Sequence, residues 1–381
     1  MRVLFNAAGT SPASVFAIAP LATAVRNAGH EILVTSFEEM APAVESVGLP
    51  PAPFVTRETT ESIKDMADRP TGRLVFPPPA DEELAYSGGW FARQAAVSLP
   101  GLRRLAEDWR PDLVVGGTLA YGPALLAAER GIPHVRQMWD WVDFRTSHPY
   151  AEKELRPELA EAGLAGLPEP DLTIDICPPS LRPADAPDDR LMRWVPGNRQ
   201  KRLEPWMYTR GDRPRVCVTL GSFRVSTEEM FDYLCGIVES VSALEAEIVV
   251  AATEEVAVKL RERFPGIRSG WVPMEFLADT CELVVHHSGG LTAMACMSTG
   301  TPQLVLNQFD LYNDSLRRLQ DHGSGEVLYR GEHSVENVRS ACEKLLSDPA
   351  YRRRAQALRA EMAELPTPGL LVGEMERLTV R

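Results

Sequence analysis

The sequence lacks any run of about 20 apolar residues, which a membrane-spanning helix requires. The N-terminus, MRVLFNAAG, has the pattern of a short apolar strand that ends in a turn, and it lacks the long apolar core of a signal peptide. We therefore expect a cytoplasmic protein with no membrane partner.

Cysteine is scarce, and its spacing is not that of paired cysteines. None of the six forms a Cys-x-x-Cys pair, and most stand in apolar runs. This pattern indicates reduced core residues of a cytoplasmic protein, and it argues against a disulfide framework or a zinc site. The six residues are Cys177, Cys217, Cys235, Cys281, Cys296 and Cys342.

Large basic clusters are also missing. The net charge is −13, from 40 Lys and Arg against 53 Asp and Glu. Nucleic-acid binding requires clustered cations that neutralise phosphates, so we expect no nucleic-acid partner. The sequence contains neither a P-loop nor a Gly-x-Gly-x-x-Gly motif, which leaves kinase and dehydrogenase functions with little support.

What the sequence does contain is an alternation of strand and helix patterns that occurs twice. The length of 381 residues predicts two domains. Apolar runs such as RVLF, EILVT and DLVVGG alternate with helical spacing, and the same order restarts after Pro214 with RVCVTLGS. Strands separated by helices predict parallel sheets with crossover helices. The expected domains are 1–194 and 215–365, joined by a linker at 195–214, with a helix at 366–381 that packs back on the first domain.

Residues 50–86 do not follow this alternation. They contain seven prolines and little periodicity, and an irregular segment of this length is usually functional or disordered. Phe76, in this segment, and Trp90, just beyond it, are candidates for a wall against a flat apolar ligand. A mobile surface loop is an equally weighted alternative.

The stretch HHSGG, from His286 to Gly290, predicts an anion site. A glycine-rich turn between a strand and a helix exposes backbone N–H groups at the positive helix end. His287 is placed to donate to a phosphate oxygen, whereas alternation along the strand makes His286 a buried structural residue. A second turn of this kind, Gly221-Ser222, suits a diphosphate at the strand ends. A metal site is the alternative, but no third ligand is apparent nearby.

The longer stretch GWVPMEFLADTCELVVHHSGGLTAMACMSTGTPQLVLNQFD resembles the donor-binding signature of GT-B glycosyltransferases of natural-product pathways. The segments SPASVFAIAPLATAVRNAGHE, RPDLVVGGTLAYG and VRQMWDWVD resemble, more narrowly, the angucycline group typified by the urdamycin C-glycosyltransferase and the landomycin olivosyltransferase. The resemblance implies an α/β GT-B fold, with two Rossmann-like domains facing across a cleft. It also implies a TDP-deoxysugar donor, an aromatic polyketide acceptor, inversion at the anomeric carbon, and neither a metal nor a cofactor.

The resemblance also assigns donor contacts. Trp271 corresponds to a residue that stacks on or flanks the thymine, Val272 to one that supplies backbone contacts, and Asp310 to one that binds sugar hydroxyls. A further set corresponds to residues that hold the diphosphate: Ser222, His287, Ser288, Gly289, Gly290 and Thr292. The chain departs from the family pattern His-Gly-Gly-Ala-Gly-Thr at Ser288 and Leu291.

The catalytic base differs from that of most relatives. Their histidine, six residues before a Pro-Leu pair, corresponds to Ser14, and the partner aspartate is replaced within Gly116-Gly117-Thr118. A phenolic acceptor requires a group that takes its proton, and a carboxylate in an apolar site has a suitably raised pKa. Asp140 meets this requirement.

Two tryptophans, Trp139 and Trp141, flank Asp140 and are expected to stack on the acceptor. Asp143 is a second candidate base, and a turn-capping role for Asp140 is the structural alternative. Ser11 and Ser14 are expected near the donor phosphate or the acceptor.

The sequence therefore predicts an inverting transferase that moves an olivose-like deoxysugar from TDP to an angucycline-type aglycone. C-glycoside formation is favoured because the missing His–Asp dyad matches that subgroup. O-glycosylation of a phenol stays open, as does a non-catalytic GT-B partner that activates another transferase. An epimerase is disfavoured by the aromatic acceptor side. A homodimer is also left open.

Overall fold

The computed structural model describes residues 1–54, 60–66, 68–221 and 227–380, and it contains two compact units. Unit 1 comprises Met1–Cys177, Ala184–Gln200 and Leu365–Arg381, and unit 2 comprises Pro178–Pro183 and Lys201–Glu364. Each unit is built on a parallel six-stranded sheet with helices, which confirms the predicted α/β fold class.

The sheet of unit 1 has the strand order β2-β1-β3-β4-β5-β6. Its strands are β1 (Arg2–Asn6), β2 (Glu31–Thr35), β3 (Leu113–Gly117), β4 (His134–Gln137), β5 (Leu172–Asp175) and β6 (Arg190–Leu191). Its helices are α1 (Pro12–Asn27), α2 (Ala41–Ser46), α3 (Thr60–Lys64), α4 (Glu83–Trp109), α5 (Tyr121–Arg130), α6 (His148–Glu154), α7 (Arg156–Glu161) and the C-terminal helix (Pro368–Thr379).

The sheet of unit 2 has the order β12-β11-β10-β7-β8-β9. Its strands are β7 (Arg215–Thr219), β8 (Glu247–Ala251), β9 (Arg268–Gly270), β10 (Leu283–His286), β11 (Gln303–Leu306) and β12 (Gly325–Leu328). Its helices are α8 (Glu228–Ser242), α9 (Glu254–Arg263), α10 (Met274–Thr280), α11 (Gly290–Thr299), α12 (Asn313–His322), α13 (Val335–Ser347) and α14 (Pro349–Glu364).

The central strands form where the sequence has continuous apolar runs. All five residues of β3 and all five of β7 are buried, as expected for inner strands of a parallel sheet covered on both faces. All six cysteines are buried, in agreement with their predicted role in the core. Among the described residues, no helix has both the length and the apolar character that crossing a bilayer demands.

The boundaries between the units differ in two places from the predicted domains. The predicted linker at 195–214 is divided between the units after Gln200. The segment Pro178–Pro183 belongs to unit 2, where Arg318 Nε donates to the Leu181 carbonyl at 2.7 Å. The C-terminal helix belongs to unit 1, where Leu371 and Met375 are buried.

The segment 50–86 is more structured than the predicted irregular loop, as far as it is described. It contains α3, and α4 begins at Glu83 and runs for 27 residues. Arg93 of α4 has a fully buried side chain that donates to Glu154 Oε1 at 2.6 Å and to the Lys64 carbonyl at 2.7 Å. The guanidinium therefore joins the end of α3 to α4 and α6.

Candidate functional sites

The predicted anion-binding turn lies between β10 and α11 of unit 2. Gly289 is the N-cap of α11, a helix of ten residues that starts at Gly290. Ser288 has a φ of 64°, and its Oγ donates to the His287 carbonyl. This left-handed residue turns the chain sharply from the strand into the helix. The first N–H groups of an α-helix have no partner within the helix, so the turn presents donors where an anion is favoured.

His287 packs between two glycines of this region. A methyl group placed on Gly221 would come within 2.6 Å of His287 Cε1, and one placed on Gly289 would come within 3.0 Å of the same atom. Gly221 also has a φ of 73°, which side-chain-bearing residues rarely adopt. The sequence therefore requires glycine at both positions if the imidazole is to lie there.

The two turns meet at the point where the strand order of unit 2 reverses. β7 pairs with β10 on one side and with β8 on the other. In open α/β sheets, ligands bind at such a switch point, outside the carboxyl ends of the strands. Gly221 follows β7, and His287 follows β10. The next residue of the first turn, Ser222, lies outside the described residues.

His286 has the predicted structural role. Its side chain is fully buried, and its Nε2 lies 2.8 Å from Gln303 Oε1. Burial lowers the pKa of His286 to about 4, although the Gln303 hydrogen bond acts in the opposite direction. The ring is therefore neutral at pH 7. Within the described part of the chain, no group of three or more His, Cys, Asp or Glu side chains is arranged to hold a metal.

Trp271 and Val272, two other predicted donor contacts, follow a different strand at the same edge of the sheet. Trp271 comes directly after β9, with Lys201 Nζ 5.2 Å from its ring centroid, and Val272 is buried. β9 lies three strands from β10, a distance of roughly 14 Å at the usual strand spacing. Trp271 and the His287 turn are therefore separated along one edge of the sheet.

Thr292 and Asp310 complete the donor set. Thr292 is half-buried in the first turn of α11. Asp310 follows β11, and its carboxylate lies 3.4 Å from Asn313 Nδ2 and 4.0 Å from the Arg330 guanidinium. The Asp310 carboxylate is thus held by partners of its own unit, and about half of it stays exposed.

Asp140 lies just after β4 in unit 1 and is 9% exposed. Burial raises the pKa of Asp140 to about 7, while the backbone N–H groups of Val142 and Trp141 act in the opposite direction. The Val142 N–H lies 3.3 Å from Asp140 Oδ1. A carboxylate with this pKa can exchange a proton near neutral pH, which suits a general base.

Asp143, the second candidate base, has a different environment. Burial alone raises its pKa, but hydrogen bonds from Arg145 outweigh that effect and hold the pKa below its usual value. Arg145 Nε and Nη2 donate to the two oxygens of Asp143 at 2.9 and 2.8 Å. Asp143 is therefore a weaker proton acceptor than Asp140, and the role of Asp140 as the base stays a prediction.

An aromatic cluster surrounds the start of this loop. The Phe91 and Trp139 rings lie 5.3 Å apart, and a methyl group on Gly117 would come within 2.7 Å of the Trp139 ring. Gly9, in the turn after β1, faces Phe91 Cε1 at 3.6 Å and Ser14 Oγ at 3.8 Å, as measured from the position of a Cβ atom. Phe91 therefore joins the turn after β1 to the loop after β4. The sequence places it beside the irregular segment but does not identify this contact.

The remaining predicted acceptor residues are more scattered. Trp141 is 3% exposed and belongs to the interior of unit 1, whereas Phe76 is 50% exposed and lies 5.7 Å from the Tyr86 ring. Trp90 is half-buried on α4. Their roles in acceptor binding stay predictions.

Ser11 and Ser14 have local structural contacts. The Ser11 side chain accepts from the Ala13 N–H as the N-cap of α1, and Ser14 Oγ donates to the Ser11 carbonyl at 2.9 Å. Ser14 is only 8% exposed, and the predicted contacts of both serines with substrate stay predictions.

Comparison with known proteins places both units in one family. Residues 84–221 match the N-terminal domain, and residues 236–378 the C-terminal domain, of the family described as erythromycin biosynthesis protein CIII-like. The L-demethylnoviosyl transferase of Streptomyces niveus is 31% identical over 360 residues, which are 94% of this chain and 93% of that protein.

Solved structures give the same result over the whole chain. The glycosyltransferase SsfS6 of Streptomyces sp. SF2575, in complex with thymidine diphosphate, has a TM-score of 0.86 and 33% identity, covering 99% of both chains. The spinosyn rhamnosyltransferase SpnG, in complex with spinosyn aglycone, has a TM-score of 0.85 and 28% identity, covering 99% of this chain and 100% of that one.

Proposed function

This chain belongs to the erythromycin biosynthesis protein CIII-like family of GT-B glycosyltransferases, and from that premise we propose that it joins an olivose-like deoxysugar to an aromatic polyketide with inversion. It is a TDP-sugar-dependent glycosyltransferase of the type that modifies polyketide antibiotics. Beyond this family assignment, we propose the identity of the sugar, the aromatic class of the acceptor and the bond that is formed.

The single observation that carries the mechanism is the environment of Asp140. Its buried carboxyl has a pKa of about 7, and Arg145 holds the neighbouring Asp143 in the charged form. Asp140 can therefore take a proton from a phenol at neutral pH and release it afterwards.

The proposed reaction begins when Asp140 accepts the phenolic proton. The resulting phenolate attacks the anomeric carbon of the sugar on the face opposite the diphosphate. The bond between that carbon and the diphosphate oxygen breaks, and TDP leaves with both electrons of the bond. Attack through oxygen gives an O-glycoside directly. Attack through the ortho carbon first gives a cyclohexadienone. Its ring hydrogen then leaves as a proton to water, which restores the aromatic ring as the phenolate of a C-glycoside.

The turn from His287 to Gly290 suits the other half of the reaction. Charge develops on the diphosphate as the glycosidic bond breaks, and N–H donors at the start of α11 favour that charge. Trp271, on the same edge of the sheet, offers a ring against which the thymine can stack.

A C-glycoside is the favoured product. Ser14 stands where most relatives have their catalytic histidine, and Gly117 and Thr118 stand where the aspartate partner is expected. Because a phenolate is nucleophilic at oxygen and at carbon, Asp140 serves both outcomes and the pose of the acceptor decides between them.

Asp140→Asn tests the proposal. Asparagine keeps the shape but cannot accept the proton, so kcat should fall by about 10²–10⁴, the usual range for a lost general base. The affinity for TDP, measured by calorimetry, should be nearly unchanged. Asp143→Asn is the matched control and should retain most of the activity. Full activity of Asp140→Asn would overturn the mechanism.

The product is identified with TDP-olivose and a panel of angucycline aglycones. A C-glycoside survives acid hydrolysis, and its NMR spectrum shows a carbon–carbon bond to the ring position ortho to a phenol. An acid-labile product that keeps the ring hydrogen would replace the carbon linkage with an oxygen linkage and leave the role of Asp140 intact.

A further inference from the structure

Unit 1 contains a set of buried polar atoms that have no hydrogen-bond partner among the described residues. These inner polar residues are Gln94, Tyr121, Trp141, Ser147 and His148, and the unpartnered atoms are their amide, hydroxyl, indole and Nε2 groups. Gln94, Tyr121, Trp141 and Ser147 are at most 3% exposed. A buried polar group without a partner costs about 1–3 kcal/mol, and native proteins contain few of them. Five residues of this kind in one unit indicate that something else supplies the partners.

Contacts bring Tyr121, Ser147 and His148 together and place α4, the helix of Gln94, beside them. The rings of Tyr121 and His148 lie 5.7 Å apart in a T-shaped arrangement, and Ser147 directly precedes His148. A Cβ on Gly88 of α4 would come within 2.5 Å of the Ser147 carbonyl oxygen. α4 also packs on the start of α5, where a Cβ on Gly122 would lie 3.9 Å from Ala95 Cα. Gln94 directly precedes Ala95 in the sequence.

The same region adjoins the proposed base. Trp141 directly follows Asp140, and Tyr121 begins α5 four residues after Gly117, against which the Trp139 ring packs. Four of the five inner polar residues therefore come from segments that follow β3 and β4, two paired strands whose carboxyl ends share one edge of the sheet, and Gln94 comes from α4, which precedes β3.

The inner polar residues are uncharged hydrogen-bonding groups. Tyrosine and serine hydroxyls and a glutamine amide can each donate and accept a hydrogen bond, and an indole N–H only donates. Burial lowers the pKa of His148 to about 4, so its ring is uncharged at pH 7. The largest effect on the pKa of Tyr121 is burial, which raises it, so the hydroxyl keeps its proton. The five side chains themselves carry no charge at pH 7, and the buried Arg136 guanidinium acts on both Tyr121 and His148. Uncharged groups beside one cation suit the carbonyl and hydroxyl oxygens of a ligand, which carry partial negative charge.

We propose that the inner polar residues form an acceptor subsite that recognises the carbonyl and hydroxyl oxygens of a polyoxygenated aromatic ketone. This inference rests on the proposed function, since it concerns the acceptor that Asp140 deprotonates. One oxygen of the ring system reacts at Asp140, and the oxygens beyond it satisfy the tyrosine, glutamine and histidine groups. An acceptor that lacks those oxygens would leave the polar groups unpaired, which is how a buried polar site discriminates.

The test uses the fact that the Tyr121 hydroxyl has no hydrogen-bond partner within the part of the chain that the structure describes. Tyr121→Phe removes an unpartnered hydroxyl and should leave the midpoint of thermal unfolding unchanged or raise it. The same variant should bind 1,8-dihydroxyanthraquinone about 10- to 100-fold more weakly, as judged by quenching of tryptophan fluorescence. The affinity for unsubstituted anthraquinone, which lacks the hydroxyls, should fall less on the same substitution. Gln94→Met should behave in the same way, whereas Tyr150→Phe, the same change at an exposed tyrosine of α6, should alter neither quantity.

Each outcome decides between the subsite and the function on which it rests. If the wild type binds 1,8-dihydroxyanthraquinone and Tyr121→Phe binds it equally well, the subsite is wrong and the proposed acceptor class stands. If Tyr121→Phe loses stability without losing binding, the hydroxyl holds a structural water and the subsite is again wrong. If the wild type binds TDP but neither quinone, the proposed acceptor class itself is overturned, and the subsite with it.

Discussion

Burial raises the pKa of Asp140 to about 7, and this determines how the rate should depend on pH. The base must be ionised to accept a proton. We therefore expect kcat/KM for the acceptor to rise about tenfold per pH unit below 7 and to level off above it. Initial rates at saturating donor between pH 5.5 and 8.5 measure this profile.

Asp143→Asn provides the control for the pH profile. The pKa of Asp143 is lowered through its hydrogen bonds with Arg145, so its removal should leave the midpoint of the profile in place. A midpoint that moved with Asp143, or a rate independent of pH over this range, would contradict the assignment of Asp140.

The raised pKa of Asp140 also makes stability depend on pH, with a definite sign. In the unfolded chain the carboxyl ionises near 3.9, whereas in the folded chain it keeps its proton until about pH 7. Wild-type stability should therefore fall as pH rises between these values, since the folded state binds more protons.

Asp140→Asn lacks this titration and should be more stable than wild type at pH 8, by on the order of a few kcal/mol at 1.36 kcal/mol per pKa unit. Urea unfolding at pH 4 and pH 8 measures the difference, which should be smaller at pH 4. A variant less stable than wild type at pH 8 would show that the carboxylate is held by contacts stronger than its burial.

The two adjacent histidines should respond differently to substitution. His287→Ala removes a ring that packs at the switch point and should weaken TDP binding by about 1–3 kcal/mol, the range for a hydrogen bond to a charged group. His286→Ala removes a fully buried ring bonded to Gln303 and should lower stability more than affinity. Calorimetry with TDP and thermal unfolding of both variants separate the two roles. Unchanged affinity in His287→Ala would remove it from the donor site.

At the scale of secondary structure, α4 shows what the sequence cannot reveal. Its 27 residues include Pro100 and the pair Gly88-Gly89, all poor helix formers. The reasons for these residues are distant in the sequence: Gly88 lies against the Ser147 carbonyl, and Gly101 lies against Phe54. Local propensity therefore predicts no helix of this length, and tertiary packing overrides it.

The strands and turns around the donor site are predictable because their signals are local. Apolar runs such as LVVH and RVCVT coincide with β10 and β7, and the glycines after them mark the turns. The choice between Asp140 and Asp143 as the base, by contrast, depends on contacts that the sequence does not reveal. The sequence places both in one loop, and the deeper burial of Asp140 together with the contact of Arg145 with Asp143 distinguishes their pKa values.

The buried Arg93–Glu154 pair provides a prediction at this scale. Both side chains are fully buried, and Thr71 Oγ1 donates to Glu154 Oε2 at 2.9 Å. Arg93→Met leaves a buried carboxylate without its cation and should destabilise the protein by about 3–5 kcal/mol. Adding Glu154→Leu to Arg93→Met should recover much of this loss, since the uncompensated charge is gone. Urea unfolding of the two variants checks it, and equal losses would show that packing, not charge, dominates.

At the scale of the whole molecule, the two units are not two consecutive halves of the chain. Unit 1 ends its first run at Cys177, resumes at Ala184 and is completed only by the last residues, from Leu365 onward. The backbone N–H of Arg193 donates to the Pro366 carbonyl at 2.7 Å, and Arg190 pairs with Glu374 at 2.8 Å. The folding of the first unit therefore depends on the C-terminus.

Ending the chain at Leu365 should consequently destabilise unit 1 and spare unit 2. The deletion removes Leu371, Val372 and Met375, whose side chains are at most 4% exposed, and each buried apolar side chain of this size contributes about 1.5–3 kcal/mol. Calorimetry should show one unfolding transition moved to lower temperature and one unchanged. TDP assigns the transitions, because at about 100 times Kd it stabilises the unit that binds it by about 2.7 kcal/mol.

In the full-length chain, Met375→Ala should reproduce part of the shift, and Leu370→Ala, at a position 69% exposed, should not. If the deletion instead lowered the transition that TDP raises, the C-terminal helix would be stabilising unit 2.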